Sequence, residues 1–107
     1  MTNSQVCRPF ITMETSFYIV FNMKTPEGFE SFARFNIGNR EKLARNLFEK
    51  LKGTADNVED CILQMDLMET KNKLPLNIKV LGCTLEEMAE NCKEITKEAF
   101  KIFTLAL

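Results

Sequence analysis

The sequence contains no histidine. That removes the commonest general base and the commonest metal ligand together. Its four cysteines, Cys7, Cys61, Cys83 and Cys92, show no Cys-x-x-Cys spacing, so no structural zinc site is expected. Arginine is scarce, at Arg8, Arg34, Arg40 and Arg45 only, and the formal net charge is −1. This balance argues against broad attraction to nucleic acid or an anionic membrane, while leaving room for a local patch. No apolar run approaches the roughly 20 residues of a membrane helix. The start of the chain, Met1 to Pro9, lacks the long apolar region of a signal peptide. The expectation is a cytoplasmic protein with reduced thiols, without metal or cofactor and without a membrane partner. No catalytic or cofactor motif is present, so catalytic residues are unknown and an enzyme is the less favoured reading.

What the sequence does have is ordinary globular composition. It has 107 residues, 45% of them hydrophobic and 27% charged. A chain of that length makes one domain with a real core. Its organising feature is an internal echo. Glu41–Lys52 aligns with Glu86–Lys97 at an offset of 45, with Glu41/Glu86, Ala44/Ala89, Asn46/Asn91, Glu49/Glu94 and Lys52/Lys97 identical. The preceding alternating segments match at an offset of 44: Phe17/Cys61, Ile19/Leu63, Phe21/Met65 and Met23/Leu67. One extra residue in the second hairpin turn reconciles the offsets. The chance alternative is two amphipathic helices that happen to share common helix residues. Read as a duplication, the chain is two ββα units, 17–52 and 61–97, within a domain over 11–107 that follows a flexible lead over 1–10.

Alternation of period two marks the strands. The first places Ile11, Met13, Thr15, Phe17, Ile19, Phe21 and Met23 on one face, and residues 10–15 either extend it or pair elsewhere. The second, Phe29 to Ile37, places Phe29, Ser31, Ala33, Phe35 and Ile37 inward, with Phe21 opposite Ala33 and Ile19 opposite Phe35. Between them Pro26-Glu27-Gly28 reads as a three-residue loop. The third strand, Cys61 to Met68, turns Cys61, Leu63, Met65 and Leu67 inward. The fourth, Leu74 to Gly82, turns Leu74, Leu76, Ile78 and Val80 inward. The four-residue loop Thr70–Lys73 joins them, with Asn72 suited to the left-handed conformation. Asn39 is expected to cap the first helix and Gly53 to stop it. Thr84-Leu-Glu-Glu87 is a capping box for the second. That helix outruns the first, and its tail (Phe100, Ile102, Phe103, Leu105, Leu107) either closes one end of the core or meets another subunit.

These elements predict an α+β fold: a four-stranded antiparallel sheet with two helices on one face. The order ββαββα is a circular permutation of the ferredoxin-like βαββαβ sandwich, a topological relation that carries little functional weight. The order of the two hairpins in the sheet stays open.

The sheet's second face is where a function is expected. It is read as Tyr18, Val20, Asn22, Phe32, Arg34 and Asn36 from the first unit, and Ile62, Gln64, Asp66, Met68, Asn77, Lys79 and Leu81 from the second. The mixture is too apolar for a solvated face and too polar for a core. The repeat matches Asn22 with Asp66 and Arg34 with Lys79, which would set two diagonal polar pairs about a twofold axis. Ordinary cross-strand pairing on a wet face is the plain alternative. The candidate residues are therefore Tyr18, Asn22, Phe32, Arg34, Asp66 and Lys79. Three functions follow. The first is an interaction module, either a homodimer or a partner of another protein. The second is a small-molecule binder or enzyme using that face as a cavity wall, with Asp66 as a base of shifted pKa. The third, disfavoured by the charge, is a weak binder of single-stranded RNA stacking bases on Tyr18 and Phe32. Cys61 is expected to face the core and so to be unreactive. The helical segments differ in charge, net +3 over Asn39–Lys52 and −2 over Thr84–Lys101. This suits either contact between the helices, orientation of a partner, or plain solvation.

Overall fold

A computed structural model describes residues 15–105, so the expected lead over 1–10 and most of the 10–15 arm lie outside the described residues. The elements run β1 (Thr15–Thr25), β2 (Gly28–Asn36), α1 (Glu41–Glu49), a short 3-10 turn (Val58–Asp60), β3 (Leu63–Lys71), β4 (Leu74–Cys83) and α2 (Leu85–Leu105). The strands form one antiparallel sheet in the order β2-β1-β3-β4. The first strand of each hairpin is thus central, and the second is an edge.

One layer of side chains builds the core. Phe17, Ile19 and Phe21 of β1 and Met65 and Leu67 of β3 meet Ala44, Leu47 and Phe48 of α1, Leu51 just beyond it, and Met88 and Ile95 of α2. Both helices therefore cover the same side of the sheet, as their single apolar stripes require. Lys50 pairs with Glu98 at 3.3 Å, and Lys52 pairs with Glu90. The opposite charges of the two helical segments thus meet each other at the surface of one molecule.

Both hairpin loops are shorter than expected. Pro26-Glu27 is a two-residue loop, with Gly28 already paired to Thr25. Asn72-Lys73 is another, and both residues have positive φ, 54° and 68°. That is the backbone of a two-residue turn whose twist suits adjacent strands. The capping box forms as expected: the Thr84 N–H donates to Glu87 Oε1 at 2.9 Å and the Glu87 N–H to Thr84 Oγ1 at 3.1 Å. At α1 the expectation fails, because the N-cap position is held by Arg40 with no side-chain bond, and Asn39 lies one residue too early. Gly53 does not stop α1 either, since the helix ends at Glu49. Its role is in the connector. A Cβ at Gly53, where φ is +155°, would lie 2.7 Å from the Gly82 carbonyl oxygen. There Thr54 and Gly82 exchange backbone bonds of 2.8 and 2.9 Å, which covers part of the outer edge of β4.

Two bulges change which residues face which way. Ile19 opposes Phe35 and Phe21 opposes Ala33 as expected, but then Asn22 opposes Ser31. Phe32 is the inserted residue, and beyond it the phase of β2 reverses. Ser31 and Phe29 therefore share the face of Asn22 and Lys24 instead of the core face. In β4 the irregularity falls between Leu67 and Met68, so Leu67 opposes Lys79 and Met68 opposes Asn77, with Ile78 inserted. Leu81 turns inward beside Met65, and Val80 turns outward beside Asp66. A one-residue insertion in a period-two pattern flips every side chain past it.

Candidate functional site

The sheet's open face is a trough built on three strands. Its floor is Tyr18, Val20 and Asn22 of β1; one wall is Phe29, Ser31, Phe32 and Arg34 of β2; the other is Gln64, Asp66 and Met68 of β3. The volume is about 760 Å³. The bulge at Phe32 interrupts the alternation of β2, so that Phe29 and Ser31 before it and Arg34 after it line one trough. Phe32 is 50% exposed, and its ring meets Phe21 edge-on at 5.9 Å between centroids. The floor, by contrast, is covered: Tyr18 is 6% exposed and Asn22 9%.

The covering has named causes. The Arg34 guanidinium lies 3.8 Å above the centre of the Tyr18 ring, a cation–π contact. Arg34 Nε donates a long bond of 3.4 Å to Asn36 Oδ1, and Arg34 has no carboxylate within salt-bridge distance among the described residues. The Ser31 hydroxyl donates to Asn22 Oδ1 at 2.7 Å.

Asp66 is the unusual member. Its Oδ2 accepts from Asn77 Nδ2 at 3.1 Å. Its Oδ1 is buried and has no hydrogen-bond partner among the described residues. Burial raises the pKa of this carboxyl above its usual value, and the nearby Asn22 and Asn77 amides offset only part of the effect. The Asn22 amide is near enough to favour the charge without making a well-formed bond to Oδ1. A buried acceptor left without a donor costs on the order of 1–3 kcal/mol.

Of the six candidates, the structure brings together Tyr18, Asn22, Phe32, Arg34 and Asp66. Lys79 is not with them. It shares the helix side of the sheet with Leu67, and its ammonium lies 3.9 Å from Glu49 of α1. The pairing of Asn22 with Arg34 and Asp66 with Lys79 about one axis is therefore not formed. Phe29, Ser31 and Met68 join the trough instead. The mark of this is a break in alternation: Phe29 and Arg34 are five apart, which no uninterrupted strand places on one face.

A second, more apolar concavity of about 570 Å³ lies at the other end of the sheet, lined by Thr54, Cys61, Leu63, Gly82, Cys83 and Leu85 among others. Cys61 precedes β3 and is half-buried, so it does not face the core as the alternation implied. Cys83 is buried. Burial, with help from the Glu87 charge, pushes its thiol up to about 11, and it stays protonated at neutral pH. That is the opposite of an activated nucleophile. No helix among the described residues is long and apolar enough to cross a membrane.

No protein-family model matches the chain, and no curated protein and no solved structure matches it.

Proposed function

We propose that this protein is a non-catalytic interaction module that associates with a second copy of itself through the open face of its sheet. The observation behind this reading is the trough, where a buried carboxylate oxygen lacks a donor beside the exposed rings of Phe29 and Phe32. Exposed apolar rims are costly in water and the Asp66 carboxylate has no cation beside it among the described residues; a partner surface covers the first and supplies the second. Sedimentation equilibrium tests it. A dimer is expected at high micromolar concentration, lost on Phe32→Glu and retained on Phe100→Glu, which alters the exposed end of α2. A chain that stays monomeric throughout would overturn the reading.

A second reading rests on the size of the trough, which falls within the range of small-molecule pockets. A ligand carrying a cationic or N–H group would sit against the Asp66 carboxyl that lines the wall. Ligand-induced shifts of the Val20, Asn22 and Asp66 amides in the monomeric chain would favour it over self-association. Single-stranded RNA binding is not advanced, because Arg34 covers the Tyr18 ring and leaves Phe32 as the lone stacking platform of the expected two.

A further inference from the structure

Arg34, Val20 and Asp66 lie in one row across the sheet: Val20 opposes Arg34 on β2 and Asp66 on β3. The cation and the carboxylate are thus two strand spacings apart, about 10 Å between backbones. They do not pair within the chain, and Val20 stands midway between them.

This row is self-complementary under one operation. Consider two open faces brought together and related by a twofold axis that runs along β1, above Val20. Rotation about that axis exchanges the two ends of the row. Each Arg34 then stands over the other copy's Asp66, and both pairs form at once. An axis perpendicular to β1 in the same plane sets Arg34 over Arg34 and Asp66 over Asp66, which repels. A twofold contact requires the surface to be its own complement, and the order of charges along the row selects the first arrangement. It also sets the Phe29–Ser31–Arg34 wall of each copy against the Gln64–Asp66–Met68 wall of the other.

Resting on the self-association reading above, we infer that the partner is a second copy docked sheet to sheet about an axis along β1, with Arg34 of each copy set over the half-buried Asp66 carboxylate of the other. The Arg34 guanidinium can stay on Tyr18 while it does so, because stacking occupies its face and leaves its in-plane N–H groups free. The stacked sheets bury the trough floors and leave the helices outside.

The test is a charge exchange read by sedimentation. Arg34→Asp alone opposes acid to acid at both contacts, and Asp66→Arg alone opposes base to base, so each variant should be monomeric. Mixed in equal amounts they should form a heterodimer, because both contacts again set acid against base, one in the wild-type sense and one with its sign reversed. The milder variants Arg34→Gln and Asp66→Asn, which keep the size of the side chains, should each weaken the wild-type dimer roughly thirty-fold or more. Thermal melts of each variant establish that the monomers are folded, and the milder pair carries the test if a charge-reversed chain is not. Single variants that dimerise like wild type, or folded variants that stay monomeric on mixing, overturn the arrangement. If wild type dimerises, Phe32→Glu does not, and the exchange fails, the open-face reading stands and this geometry falls. If wild type is a monomer, both fall.

Discussion

Two residues show how a polar group's value depends on where it is held. Asn91 on α2 is 1% exposed. Its amide clamps the backbone of Lys52: Oδ1 accepts from the Lys52 N–H at 2.8 Å, and Nδ2 donates to the Lys52 carbonyl at 2.8 Å. One side chain thus satisfies two backbone groups of the chain leaving α1. Its sequence counterpart Asn46 is exposed on α1. Asn91→Ala is expected to cost about 2–3 kcal/mol by stranding those groups, and Asn46→Ala to stay within about 0.5 kcal/mol of wild type. Urea denaturation of the two variants checks the contrast. Asp66 makes the second prediction. Its folded-state pKa is raised, chiefly by burial, so the folded chain holds this proton more tightly than the unfolded chain. The sign follows: its contribution is most favourable below the ordinary Asp value and is lost as pH rises through the folded value. Glu90, held low by its bond with Lys52, has the opposite sign. Stability of wild type relative to Asp66→Asn should therefore fall between acid and neutral pH. Denaturation series on both chains at dilute, monomeric concentration measure it, and a flat difference would remove the burial argument.

At the scale of elements, the two helix starts differ in how they are specified. α2 begins with a reciprocal hydroxyl–carboxylate box, while α1 begins at Arg40 with no side-chain cap. Thr84→Ala should cost about 1 kcal/mol. Asn39→Ala should cost close to nothing, despite the side chain's suitability as a cap, because the residue is outside the helix by one position. Thermal melts of both variants separate the cases. The strands differ too. Central β1 and β3 keep unbroken alternation, and each edge strand carries an insertion opposite them, at Phe32 and Ile78. Bulges at sheet edges twist the edge and re-aim side chains. Here one bulge builds the trough wall, and the other sends Lys79 to the helix side.

For the whole molecule, the consequence is a two-layer body with unlike faces. The helix side is closed by apolar packing and by ion pairs between the helical segments. The other side keeps its trough, with cation and carboxylate separated by Val20. The β1–β3 register pairs Phe21 with Met65, residues that the internal echo makes equivalent. The bulges, however, fall at non-equivalent places, and Arg34 and Lys79 end on opposite faces. Whatever symmetry the sequence suggests, the two halves present different surfaces. Self-association through the trough, and the exchange of charges that tests it, belong to this scale because no single element supplies both members of the row.

The amino-acid sequence by itself determined what is local. Alternation placed four strands, helical stripes placed two helices, Thr84 and Glu87 started one of them, and apolar Phe17, Ile19, Phe21, Met65 and Leu67 marked the core. Each of these rests on interactions within a few residues or on a period that a sequence displays directly. Most of the trough was legible as well, because the open-face residues of β1 and β3 follow from unbroken parity. The tertiary structure alone decided the strand order, the partner of Asn91 and the facing of Phe29, Ser31, Lys79 and Val80. The physical reason is that parity survives only until a residue is inserted. Where the insertion falls is settled by the hydrogen-bond ladder and packing of a neighbouring strand, and these lie far along the chain from the residues they turn over.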